Sequence, residues 1–256
     1  MKLFFLFFLF FLAFFSCKKN EYPDPEPLPS LDSAGFLNIN INNVVNNTPL
    51  ILNTTEYTNA NNDTFTVDIY KYYISNVQLR TNTGVVNIEP DSYYLIDQQK
   101  PNSLNLLIKR VAFQDYSSIS FNVGVDSARN IYGSFTGALD PANDMYWGWN
   151  QGFIMAKLEG HSRQSAEPTQ KIVYHIGGYA GKFNGVRTVN LSFPNIAIVK
   201  YNHTPTLNLK ADLATWFSYP TPLDFSQDWG ITGIAAESSN IADNYANMFT
   251  VTSVIN

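Results

Sequence analysis

Between residues 36 and 256, apolar and polar positions alternate in short runs, the period-two mark of half-buried strands. In Phe65–Leu79 the odd positions Phe65, Val67, Ile69, Tyr73, Val77 and Leu79 are apolar or aromatic, with Lys71 and Ser75 as interruptions. Ile119, Phe121, Val123 and Val125 alternate with Ser118, Ser120, Asn122 and Gly124, and Val189, Leu191 and Phe193 with Thr188, Asn190 and Ser192. Further strands are expected at Phe36–Ile41, Tyr93–Ile96, Leu104–Arg110, Gly152–Leu158, Ile172–Ile176, Ile196–Tyr201 and Phe249–Ile255. Turn-rich stretches such as Asn59–Asp63, Gly181–Gly185 and Tyr219–Pro222 separate them. Helical spacing is confined to Ala211–Phe217 and Ser239–Asn247. The pattern predicts an all-β antiparallel β-sandwich, immunoglobulin-like or jelly-roll-like, with one or two short helices. No repeat of fixed period divides it, so residues 35–256 read as one domain.

The N-terminal segment breaks this pattern. Lys2 precedes Leu3–Phe15, a run of only Leu, Phe and Ala. Thirteen residues at a helical rise of about 1.5 Å span roughly 20 Å, short of the roughly 30 Å of a bilayer core. Residues 1–16 therefore read as a signal peptide. The run ends in Ser16-Cys17, and Cys17 is the only cysteine. A small residue before cysteine matches a lipoprotein cleavage site, with Cys17 as the lipidated first residue. Lys18–Ala34 is polar and carries four prolines, so residues 17–34 read as an anchored, extended tether. The expected location is the cell envelope, on the periplasmic side of the outer membrane, with attachment through lipid.

With Cys17 acylated, no thiol remains for disulfides or thiolate metal sites. The chain has 16 Lys and Arg against 21 Asp and Glu. Removing residues 1–16, whose one charge is Lys2, leaves 15 against 21, a net of −6. No basic stripe suits nucleic acid. Neither a Gly-x-Ser-x-Gly elbow nor a His-Glu-x-x-His motif is present, so the reading is of a protein that is not an enzyme.

Candidate chemistry concentrates in Asp140–Gly160, DPANDMYWGWNQGFIMAKLEG. If this segment is extended, Met145, Trp147, Trp149, Gln151, Phe153 and Met155 share one parity and one face. Burial in a core strand accounts for such large side chains as well as a ligand surface does. Asp140, Asn143 and Asp144 offer hard oxygens, but their spacing matches no calcium loop, and a Pro-Ala-Asn-Asp turn explains them. His175 ends the apolar run Ile172–Ile176 before Gly177-Gly178, where one ring nitrogen can be held while the other binds a metal. His161 and His203 sit in polar turns.

Phe65–Leu79 (FTVDIYKYYISNVQL), Tyr93–Asp97 (YYLID), Gly124–Asn130 (GVDSARN), Thr136–Gly160, Tyr174–Gly178 (YHIGG) and Ile241–Val251 together resemble the MbnP-like copper-binding proteins. These stretches occur in the family's order and are spread over residues 65–251. The resemblance implies a β-rich copper-binding protein of the cell envelope. It implies a partner, a di-haem cytochrome c peroxidase of the MauG type, that oxidises a tryptophan to kynurenine. By position, Trp147 or Trp149 would be the oxidised residue and His175 the imidazole ligand, with Met145 and Met155 as further metal candidates. Members with extra histidines have more ligands than this chain; Thr252–Ile255 contains none. The alternative function is a binding or structural module of the same fold that lacks the metal and presents its aromatics to a glycan or a protein.

Overall fold

A computed structural model of the chain describes residues 33–131, 135–148 and 152–256. Sixteen strands run in chain order: β1 (Ala34–Val45), β2 (Thr48–Pro49), β3 (Tyr57–Thr58), β4 (Thr64–Thr81), β5 (Val86–Ile88), β6 (Tyr93–Asp97), β7 (Asn105–Ala112) and β8 (Asp115–Val123). There follow β9 (Tyr146–Trp147), β10 (Gly152–Phe153), β11 (Ala156–Ser162), β12 (Lys171–Ile176), β13 (Arg187–Ile198), β14 (Thr206–Asp212), β15 (Gly230–Gly233) and β16 (Phe249–Ile255). The α-helices are α1 (Ser127–Ile131) and α2 (Ala236–Tyr245).

The large sheet runs β13-β8-β4-β11-β12-β15, with β3, β5 and β6 also pairing with β4. The small sheet runs β16-β14-β1-β2, with β7 also on β1. One core lies between them. Tyr70, Tyr72, Phe121, Leu158 and Tyr174 of the large sheet and Leu37, Ile39, Leu207 and Leu209 of the small sheet belong to the same buried cluster. The expected sandwich is therefore present, with one refinement. β1–β14 and β12–β15 are parallel, which long intervening chain permits and a two-residue turn does not.

The expected strands match β1, β6, β7, β8, β12 and β16 closely, and Ile196–Ile198 forms the end of β13. The helix expected at Ala211–Phe217 is a 3-10 turn over Leu213–Phe217, and Ser239–Asn247 lies largely in α2. The long central strand β4 does not keep one parity. Its inward residues are Phe65 and Val67, then Tyr70, Tyr72 and Ile74, then Val77 and Leu79. Irregularities opposite Glu159/Gly160 and between Ser75 and Gln78 each insert a residue. At the second, Asn76 sits at φ 54°. Such bulges invert which side chains face the core. Lys71 and Ser75 thereby share the outer face with Tyr73.

The Met145–Met155 segment is not one core strand. Its described residues form β9 and β10, a two-stranded ribbon with Trp147 opposite Gly152 and Tyr146 opposite Phe153. Met145, Phe153, Ile154 and Met155 join Tyr73, Val125 and Leu139 in a second, smaller buried cluster on the outer side of the large sheet.

Candidate functional site

Adjacent residues on β11 and β12 point to opposite faces, so Leu158 and Tyr174 go inward and Lys157, Glu159 and His175 go outward. Strand pairing then sets Asp97, Lys71, Lys157, His175 and Thr232 in one lateral row across β6, β4, β11, β12 and β15. Lys71 and Lys157 are direct cross-strand partners. Like charges so placed repel, and acids flank them. Asp97 Oδ2 lies 3.6 Å from Lys71 Nζ and 3.5 Å from Lys100 Nζ. Lys157 Nζ meets Asp144 Oδ2 at 2.5 Å and Glu159 Oε1 at 3.4 Å. The same Glu159 oxygen is 2.8 Å from His175 Nε2.

The loop before β9 delivers Asp144. Asp140 accepts from the Ala142 amide at 2.9 Å and starts a single 3-10 turn, Pro141–Asn143. Asp144 follows in the left-handed region at φ 59°. Lys71 Nζ donates to the Asn143 carbonyl at 3.1 Å, and Lys157 Nζ to the Asp144 carbonyl at 3.3 Å. The aspartates of this turn thus cap and pair, as the turn reading expects. Asn130 of α1 fastens the other limb. Its Nδ2 donates to the Val125 and Asp126 carbonyls at 2.7 and 3.0 Å, while its Oδ1 accepts from the Phe153 amide at 2.9 Å. Gly152 is at φ 70°, where any side chain would strike Asn130 Oδ1.

Trp147 lies half-buried with its six-membered ring over Gly177, in the space a Cβ there would fill. Gly177 is two residues beyond His175. The tryptophan named by the resemblance therefore packs on the chain two residues beyond the histidine it names. The thioethers do not present themselves to that surface. Met145 and Met155 are both fully buried, and Met155 Sδ already accepts the Val125 amide at 3.1 Å. Met248 is a core residue whose sulfur takes Tyr70 Oη and Trp216 Nε1. His161 pairs with Asp68 at 2.9 Å. It stands four residues along β11 from Lys157, the partner of His175, which is about 13 Å at strand rise. His203 closes a turn with Lys200. Trp149, Cys17, the expected signal peptide over residues 1–16 and the expected tether up to residue 32 lie outside the described residues.

Burial holds the His175 imidazole below its ordinary pKa, outweighing the opposing hydrogen bond to Glu159. The Lys157 ammonium holds the Asp144 carboxyl low. With a neutral imidazole, Lys71, Lys100 and Lys157 against Asp97, Asp144 and Glu159 leave the row without net charge. Among the described residues, no three His, Cys, Asp or Glu side chains gather as a metal-holding group. The protein donor nearest along the chain to the Trp147 contact is His175, whose Nε2 is taken by Glu159. It would give a cation one ligand, with the rest of the coordination left to other donors. Lys157, Glu159, Asp144 and Asn130 lie within stretches quoted for the resemblance but had no assigned role. The sign that could have found Lys157 and Glu159 is their shared parity with His175's partner face, in a strand whose other residues are apolar or small.

A family model described as MbnP matches residues 34–240. The fold is similar to a solved structure, MbnP from Methylosinus trichosporium, at 12% identity and a TM-score of 0.52, covering 80% of this chain and 83% of that one. A comparison with curated protein sequences finds no match. The match to the family model spans most of the chain: it belongs to the MbnP family.

Proposed function

We propose that this chain is an exported, lipid-anchored, non-catalytic protein that binds copper at His175, beside Trp147. The observation that carries the reading is the placement of Trp147 over Gly177, two residues beyond His175. Imidazole suits copper. Copper here is cargo. His175 supplies one donor, and oxidation of a tryptophan to kynurenine would add an aryl ketone and an aniline nitrogen. In this reading the oxidant is a di-haem cytochrome c peroxidase of the MauG type, and Trp147 or Trp149 is its target.

Competition titration of the purified chain with Cu(I), against a coloured chelator, tests the site. One copper per chain is expected, with affinity lost in His175→Ala. Binding no tighter than micromolar, in protein from its native host, would sink the reading. A second reading has its own support: both thioethers beside the ribbon are enclosed, and Lys157 occupies the carboxylates nearest His175. In that reading the same face binds a glycan or a protein without metal. Ligand binding indifferent to chelator would favour it.

A further inference from the structure

The row of charges does more than neutralise itself. Glu159 and His175 are diagonal neighbours on β11 and β12, strands interior to the large sheet. We infer that Glu159 is the positioning residue of this face: its carboxylate holds His175 as the Nε2–H tautomer and leaves Nδ1 as the nitrogen open to a metal. The role of Nδ1 rests on the copper reading; the tautomer does not.

The argument is one of donors and acceptors. A carboxylate at neutral pH has only lone pairs to offer, so the nitrogen it meets at 2.8 Å must carry the hydrogen. A neutral imidazole has one N–H, and the other nitrogen then keeps its lone pair. Nδ1 has no hydrogen-bond partner among the described residues. The acceptor is itself held, because Lys157 Nζ reaches the same oxygen at 3.4 Å and is fixed on its far side by Asp144 at 2.5 Å. Lys157 is 4% exposed, His175 19% and Glu159 31%, so the Glu159–His175 contact is partly shielded from water, while Asp144 faces solvent. Carboxylate-to-histidine contacts of this type set ring orientation and raise ligand basicity in metal sites.

Long-range proton–nitrogen NMR on histidine-labelled full chain reads the tautomer, with His175→Gln assigning the resonance. At a pH where imidazole is neutral, the wild type is expected to show a protonated Nε2 and a bare Nδ1. Glu159→Ala is expected to show both tautomers. The opposite tautomer in the wild type, or the same one in Glu159→Ala, overturns the inference. The wild-type spectrum decides alone if the variant does not fold. With copper alone as probe, folded Glu159→Ala is expected to bind about 10–100-fold more weakly, and equal affinity overturns the positioning role. A wild type that keeps the locked tautomer yet binds no copper removes the copper reading and leaves the lock in place.

Discussion

On β11 and β12 neighbouring residues serve different ends. Leu158 and Tyr174 enter the core between the sheets, while Lys157, Glu159 and His175 stand on the opposite side of the same backbone. The inner side is held by area and shape. Trp216 packs within 5.6 Å of Tyr70 and 5.4 Å of Tyr245 between ring centroids, and all three are buried. The outer side is held by pairing, with three acids distributed around three lysines. Such a face contributes little net stability, since desolvation offsets much of the attraction. What it supplies is a defined geometry beside Trp147. One side makes the fold, and the other makes a surface of paired charges.

The contrast is open to direct attack, most strongly from inside. Trp216→Ala is expected to cost about 3–5 kcal/mol in urea unfolding, because it removes the ring and the donor to Met248 together. A loss under about 1 kcal/mol would be ordinary for any substitution and would contradict the division. Lys157→Met attacks the outer side while keeping the apolar volume. It leaves Glu159 and Asp144 without their cation. The expected cost is about 1–2 kcal/mol, below that of a fully buried pair, because Asp144 is 76% exposed and water screens it. A cost matching Trp216→Ala would mean the outer row carries the fold as much as the core does.

The smallest effect is in acid. Burial alone would raise the Asp126 carboxyl, but hydrogen bonds from Tyr93 Oη at 2.6 Å and Asn76 Nδ2 at 3.0 Å, with backbone amides of α1, bring it below the ordinary value. A lowered folded pKa contributes stability above the unfolded value and loses it as pH falls through the folded one. The urea midpoint should therefore decline as pH falls through and below the ordinary carboxylate range, and Asp126→Asn should flatten part of that decline. A variant curve parallel to the wild type would show that this anchor of α1 is not coupled to folding.

The strands were legible wherever alternation runs unbroken, as at Ile119–Val123 and Ile172–Ile176. β4 was legible as a strand but not in its faces. The two interruptions, Lys71 and Ser75, are the residues that its bulges place outside, and a bulge leaves no mark in composition. β14 was missed although Leu207, Leu209 and Ala211 alternate with Thr206, Asn208 and Lys210, because Ala211 also fits a helix start. The Trp147 segment has strand parity, yet Gly152 at φ 70° turns it into a ribbon over the sheet. His175 and Trp147 could be named from resemblance, but not Lys157 or Glu159 as their neighbours. That row depends on register across four strand pairings, and register is a property of the folded sheet.

The central claim is that the face around His175 and Trp147 takes up copper in a chain matured by oxidation and lipidation. Intact mass of protein from its native host, with peptide mapping and copper analysis on the same sample, tests it most directly. The account predicts one copper per chain, an oxidised tryptophan mapped to position 147 or 149, and a lipid-modified Cys17 at the N-terminus. An unmodified tryptophan pair in a copper-free sample would contradict it.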